Sequence, residues 1–183
     1  MNTHDHYGDA LRIEPYRVAH RSDALELAIR AWTPVFEGMR DAVPRFVHDN
    51  FWPNGWQSRQ RADLAQVLDE SPDDVDVAVA AGTVIGWVCT RIHPEDSMGE
   101  VYVIVVDPEH QGHGVGRALM DRAHARVRRA GMRMVMVETG GDPGHGAARR
   151  LYEAAGYQRW PVARYFKDLA SDPMGPQLGS PEA

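Results

Sequence analysis

From Val101 to Arg117 the chain runs through an apolar stretch, Val101-Tyr102-Val103-Ile104-Val105-Val106, that closes at Asp107-Pro108. A turn punctuated by Gly112, Gly114 and Gly116 follows, and then a helix-forming segment. A strand, a glycine loop and a helix in that order constrain the fold more than any other feature. The strand needs sheet neighbours and the helix must cover the sheet. The bare N–H groups at the helix N-terminus, next to the glycines, can hold an anionic phosphate. Read without that ligand, the glycines serve a tight turn that needs positive φ. Two other phosphate-binding patterns do not fit. A P-loop requires a Lys followed by Ser or Thr after its glycines, and neither pair follows Gly116. A dinucleotide fingerprint requires two residues between its last two glycines, whereas only Val115 separates Gly114 from Gly116, although Glu138 lies near the required acidic position.

The 183 residues suffice for one sizeable domain. Twenty basic and 26 acidic residues leave a net charge of −6, which argues against a nucleic-acid surface and tolerates a cationic substrate. Cys89 is the sole cysteine, so no intrachain disulfide forms, and its apolar setting in Gly86-Trp87-Val88-Cys89-Thr90 reads as core packing. Neither a signal-type opening nor an apolar run of ~18 residues is present, so no membrane association is expected and a cytoplasmic location is.

Three segments are expected: a polar, flexible 1–10, a single domain over 11–169, and a Pro/Gly-rich flexible tail over 170–183. Within the domain a first strand is expected at Leu11–Tyr16. A helix capped by Ser22-Asp23 follows, and another over Arg59–Glu70. A hairpin joins Val75–Ala81 to Val84–Cys89 through Gly82-Thr83, and a long strand covers Glu100–Val106. A helix over Val115–Arg129 ends at Gly131, Met132–Glu138 is strand-like, and a helix over Gly144–Ala155 ends at Gly156. Tyr157–Leu169 then supplies one or two closing strands. This order makes an α/β fold with a mixed sheet covered by helices.

The segment Val106-Asp107-Pro108-Glu109-His110-Gln111-Gly112-His113-Gly114-Val115-Gly116-Arg117 resembles the acetyl-CoA signature of the GNAT family of N-acetyltransferases, Gln/Arg-x-x-Gly-x-Gly/Ala after a strand end. Ala147-Ala148-Arg149-Arg150-Leu151-Tyr152-Glu153-Ala154-Ala155-Gly156-Tyr157 is similar to that family's second landmark, A-x-x-LYE-x-x-GF, in the expected order and separation. The resemblance covers residues 100–157. It implies a central mixed, mostly antiparallel sheet that splays in the middle, with helices on both sides, and an acetyl-CoA-dependent N-acetyltransferase.

By the same resemblance the main chain of Ile104, Val105 and Val106 holds the pantetheine arm. The N–H groups of Gln111, Gly112, His113, Gly114, Val115 and Gly116 take the pyrophosphate, and Ala148 and Tyr152 line the cofactor. Arg117 adds charge there or is an ordinary solvated helix residue. Tyr152 is the candidate acid for the departing thiolate, and a phenol with pKa near 10 would act as much by hydrogen bonding as by transfer. Glu100 is the candidate base, or else an exposed carboxylate at a strand start. Strict alternation would put Glu100, Tyr102, Ile104 and Val106 on one face. Where the family often carries an Asn that contacts the cofactor or an ordered water, seven residues before the tyrosine, this chain has His145. The resemblance places His145 among the cofactor-binding residues, and it can donate a hydrogen bond, shuttle a proton or cap the helix.

His110 and His113 lack a third partner, so no metal site is expected. Trp32, Phe46, Phe51, Trp52 and Trp56 fall where the family builds its acceptor pocket, and Glu37, Asp41 and Asp49 among them would suit a cationic amine. The expected acceptor is therefore an amine of small-molecule or peptide origin, and the resemblance leaves room for a homodimer. Three other readings stay open: a catalytically silent acyl-CoA-binding module, a different acyl donor, and a plain α/β domain with a glycine turn.

Overall fold

The computed structural model describes residues 11–171. Both segments expected to be flexible lie outside the described residues, except 170–171, where the Ala170 amide donates to Asp168 Oδ1 at 3.0 Å. Five strands form one sheet in the order β1 (Arg12–Pro15), β2 (Val75–Ala80), β3 (Thr83–His93), β4 (Met98–Val106) and β5 (Met134–Val137). All neighbours are antiparallel except β4 and β5, which run parallel. A parallel neighbour needs a crossover, and α4 (Val115–Arg129) supplies it. The other helices are α1 (Arg21–Arg40), α2 (Arg45–Phe51), α3 (Trp56–Glu70) and α5 (Gly146–Ala154).

Each face of the sheet has its own core. On one face Ala24, Leu27 and Ala28 of α1 and Leu64 and Leu68 of α3 pack against Val77, Trp87, Cys89, Val103 and Val105. Trp87 is fully buried, and its indole N–H donates to the Ala24 carbonyl at 3.1 Å, fixing α1 across the sheet. On the other face Val115, Leu119, Met120 and Ala123 of α4 and Tyr152 of α5 cover Ala78, Ile85, Val88 and Val101. Two glycines let α4 lie close. A Cβ on Gly86 would come within 3.1 Å of Leu119, and one on Gly99 would overlap Val127.

Three expectations change. The β2–β3 hairpin turns at Ala81-Gly82, one residue earlier than read, with φ of 48° and 81° as a tight two-residue turn requires. The first helix starts at Arg21 with no side-chain cap, because the Ser22 hydroxyl lies 3.4 Å from Glu26 inside the helix. No strand forms among residues 157–169. Pro161 removes a ladder donor, and Trp160, Val162 and Tyr165 meet no apolar layer to alternate against. That segment is anchored at its start by Tyr157, which packs on the α4–α5 core, and by Arg159 on Glu153. Further on it touches the folded body through Phe166 against Phe51 and Arg164 against Glu138.

Asp107, where β4 ends, ties the two faces together. Its Oδ1 accepts from the Glu109 amide at 3.0 Å and starts the turn toward the glycines. Its Oδ2 accepts from Arg30 of α1 at 2.7 Å. Burial pushes this carboxyl's pKa up, but hydrogen bonds from Arg30, the Glu109 amide and His110 outweigh burial and hold it below the ordinary value.

Replacing Gly99 by Val should cost about 1–3 kcal/mol of stability through overpacking against Val127, read as a lowered denaturation midpoint. Asp107→Ala should cost about 1–2 kcal/mol, at the lower end because Arg30 is 56% exposed. Its pKa is depressed on folding, so that contribution is present above about 3.9. It drains away as pH falls through the lower folded value, and the difference between wild type and variant should shrink accordingly in acid.

Candidate functional site

β4 is paired on both sides only as far as Val101, the last residue matched to β5, through Val137. β3 continues alongside it to Val106. In antiparallel pairing alternate residues turn both main-chain groups to the neighbour. Because the Asp107 N–H donates to the Ile85 carbonyl, that set on β4 comprises Val103 and Val105. Ile104 and Val106 therefore turn their main-chain groups to the side that β5 has left. Val105 faces β3 instead, which removes it from the edge that sequence assigned to the pantetheine. The Val106 carbonyl already accepts from the Gln111 amide nitrogen at 3.2 Å, which leaves its second lone pair.

The split opens next to the glycine loop. Gly112 and Gly114 have φ of 78° and 85°, a conformation costly for other residues. Gly116 serves differently, since a Cβ there would press to 3.3 Å on Leu151 of α5. The N-cap of α4 is Gly114, with no side chain capping the helix. The amides of Val115, Gly116 and Arg117 thus lack intrahelical acceptors and meet the positive end of the helix dipole. An unpaired strand edge continuing into an uncapped helix N-terminus fits an extended acyl-CoA, with its amide arm on the strand and its pyrophosphate on the helix. Arg117 is exposed and leans toward Asp121 at 3.9 Å, away from the loop.

α5 borders the same split. Tyr152 is buried, its ring centroid 6.1 Å from that of Tyr157, and burial pushes its phenol pKa up to about 12. Tyr157 in turn shares a 2.8 Å hydrogen bond with His124 of α4. Ala148 packs on the same cluster as Tyr152. One turn before α5, His145 Nδ1 sits 2.6 Å from Asp142 Oδ2. Arg149 holds that loop by donating to the carbonyls of Gly140 and Asp142 at 2.6 and 2.7 Å.

Glu100 lies elsewhere than strict alternation implies. The β3–β4 register shifts between Cys89 and Thr90, where Val103 and Val101 are the partners and Tyr102 is the extra residue. The bulge reverses parity. Ile104 and Val106 join the α4 face, whereas Gly99 and Val101 on that face leave Glu100 on the α1–α3 side. There Glu100 Oε2 is 2.9 Å from His93 Nε2, and the Arg91 guanidinium stacks 3.3 Å above the Tyr102 ring. Tyr102 and Arg91 line a cavity of about 240 Å³ with Asp63, Gln66 and Glu70 of α3. His93 and the bulge escaped the sequence reading, because neither cross-strand partners nor an extra strand residue leaves a periodic signal.

The expected acceptor wall is partly assembled. Phe36 stacks on Trp56 at 4.2 Å and meets Trp52 edge-on at 5.2 Å. All three expected carboxylates, Glu37, Asp41 and Asp49, are exposed, and Asp49 is engaged by Arg45 and His48 on its own helix. Among the described residues no group of three or more His, Cys, Asp or Glu is arranged to hold a metal ion, and no helix is long and apolar enough to cross a membrane.

Comparison with known proteins agrees with this geometry. The chain is similar to a mycothiol acetyltransferase of Kocuria rhizophila, 32% identical over 161 residues, covering 83% of this chain and 47% of that protein. It is also similar to a mycothiol acetyltransferase of Thermobispora bispora, 42% identical over 91 residues, covering 47% of this chain and 30% of that protein. The chain thus spans half or less of these relatives' lengths. Among solved structures it superposes on the PaiA N-acetyltransferase of Thermoplasma acidophilum in complex with coenzyme A. That match has a TM-score of 0.62 and 14% identity, and covers 84% of this chain and 93% of the other. The family model described as the acetyltransferase (GNAT) family matches residues 39–157, a span that takes in the split strand, the glycine loop and the Tyr152 helix. The chain belongs to the GNAT acetyltransferase family, whose acyl donor is acetyl-CoA.

Proposed function

We propose that this chain is an acetyl-CoA-dependent N-acetyltransferase that passes the acetyl group directly to a primary amine of a small molecule or peptide. The observation that carries the reading is the unpaired edge of β4, Ile104 and Val106, running into the uncapped N-terminus of α4. The bound co-substrate supplies an activated thioester, and the protein's work is placement and charge control. Ile104 and Val106 would orient the pantetheine through main-chain hydrogen bonds. Gly112, His113, Gly114, Val115 and Gly116 would cradle the pyrophosphate with N–H groups, whereas the Gln111 N–H at the edge of the loop already donates to the Pro108 carbonyl at 3.4 Å. Tyr152, with its pKa pushed up to about 12, stays protonated at neutral pH, so its hydroxyl would donate a hydrogen bond to the sulfur as charge builds there.

The acceptor is read by its chemistry. The aromatic cluster of Phe36, Trp52 and Trp56 with the exposed Glu37 and Asp41 suits an amine that arrives as a cation. The curated relatives named mycothiol acetyltransferase support placing amino-sugar amines among the acceptors to be tried.

Acetyl-CoA should bind the wild type in a calorimeter, and Gly114→Trp, which forces a side chain into a left-handed position at the loop, should abolish binding while the circular dichroism spectrum persists. Acetyl-CoA offered with spermidine, glucosamine or a peptide with a free α-amino group should release CoA with at least one of them. Binding without release from any amine would favour a silent acyl-CoA module. Tyr152→Phe should lower kcat by about 10²-fold with acetyl-CoA affinity nearly unchanged, and an unchanged kcat would remove Tyr152 from the chemistry.

A further inference from the structure

We propose that His145 is the general base that takes the proton from the acceptor amine, and that Asp142 is its positioning residue. The proposal rests on the transferase reading above and assigns the base within it.

The pair has the geometry of a built site. Asp142 is nine-tenths buried at its side chain, and His145 is 25% exposed. Asp142 Oδ2 takes the 2.6 Å contact with His145 Nδ1, while Oδ1 is sealed from solvent without a hydrogen-bond partner. Burial raises the Asp142 carboxyl's pKa, but the hydrogen bond and charge of His145, with the nearby amides of Asp142 and Gly144, prevail and keep it ionised. An ionised carboxylate can only accept, so Nδ1 carries the proton and Nε2 of the neutral ring is left with the lone pair.

Two glycines are shaped around the pair. A Cβ on Gly140 would collide with Asp142 Oδ2 and lie 2.5 Å from His145 Nδ1. A Cβ on Gly144 would lie 3.0 Å from Asp142 Oδ1 and 2.8 Å from the Val35 carbonyl of α1. That contact sets the dyad against the half of α1 that carries Phe36 and Glu37, on the expected acceptor side. His145 ends the turn that leads into α5, and Tyr152 lies seven residues further on, nearly two helical turns into that helix with Ala148 between them. Of the other charged groups, Arg149 is committed to the loop carbonyls, Arg150 reaches over Gly146 beside His145, and Glu37 is exposed on α1. Glu100 is the weaker base because its carboxylate is already paired with His93, on the part of β4 still flanked by both neighbours.

In the step, His145 Nε2 accepts one proton from the ammonium form of the acceptor. The freed amine attacks the thioester carbonyl and the C–N bond forms. The nitrogen of this tetrahedral species gives its second proton to solvent water as the C–S bond breaks, leaving the neutral amide. The departing sulfur, hydrogen-bonded by Tyr152, takes a proton from solvent, and the imidazolium returns its own to water.

Two measurements test this. Nitrogen-15 spectra of the full chain should show His145 in the Nδ1–H tautomer and lose that preference in Asp142→Asn. An Nε2–H tautomer in the wild type overturns the dyad. With spermidine, glucosamine or a free-amino peptide as acceptor, His145→Asn should keep its acetyl-CoA affinity by calorimetry and lose about 10²-fold in kcat. His145→Gly should regain part of that loss with added imidazole, a rescue that a purely structural role would not permit. Undiminished turnover in His145→Asn overturns the dyad alone, whereas no turnover in the wild type overturns the transferase reading itself.

Discussion

Main-chain hydrogen bonding along β4 is the constraint on which the remainder of the molecule depends. An N–H or carbonyl buried without a partner costs about 1–3 kcal/mol, and β4 gives up one neighbour after Val101 while keeping the other to Val106. The edge at Ile104 and Val106 must therefore stay open to water or a ligand. The bulge at Tyr102 sits where pairing changes, as bulges do beside sites that redirect a strand. Asp107, Arg30 and the glycine turn then carry the chain from that edge straight to a helix start.

This arrangement also sorts the chemistry by face. Tyr152 and the α4–α5 packing lie on one side of the sheet, and Glu100, His93, Arg91 and Tyr102 lie on the other. The loop from Gly140 to His145 crosses between them, leaning on Val35 of α1 while leading into α5. Groups that would serve donor and acceptor thus come from elements rigidly packed on different cores, joined through one short turn.

Much of this was legible in the chain itself. The apolar run to Val106, the spacing of Gly112, Gly114 and Gly116, and the helix-forming stretch before Gly156 located the strand, the loop and α5, because each rests on local sequence. The sheet split, by contrast, was implied only by the family resemblance. What escaped was set by partners distant in sequence. Arg30 reaches Asp107 across 77 positions. Parity inverted at Tyr102 because one additional strand residue looks like ordinary alternation on the page. Val105 was assigned to the open edge because sequence does not reveal which set of main-chain groups faces β3. The segment after Tyr157 had strand-like composition, but in the fold it lacks a ladder to join.

Cys89 lies wholly buried among the α1–α3 core residues, and desolvation drives its thiol up to about 12. At neutral pH it carries almost no thiolate, the form that reacts with disulfide dyes. As the chain's sole sulfhydryl, it leaves the folded protein spectroscopically silent to such reagents. Colour developed in a reaction mixture therefore reports liberated coenzyme alone, and a slow rise without acyl donor would signal unfolding of the core around Trp87.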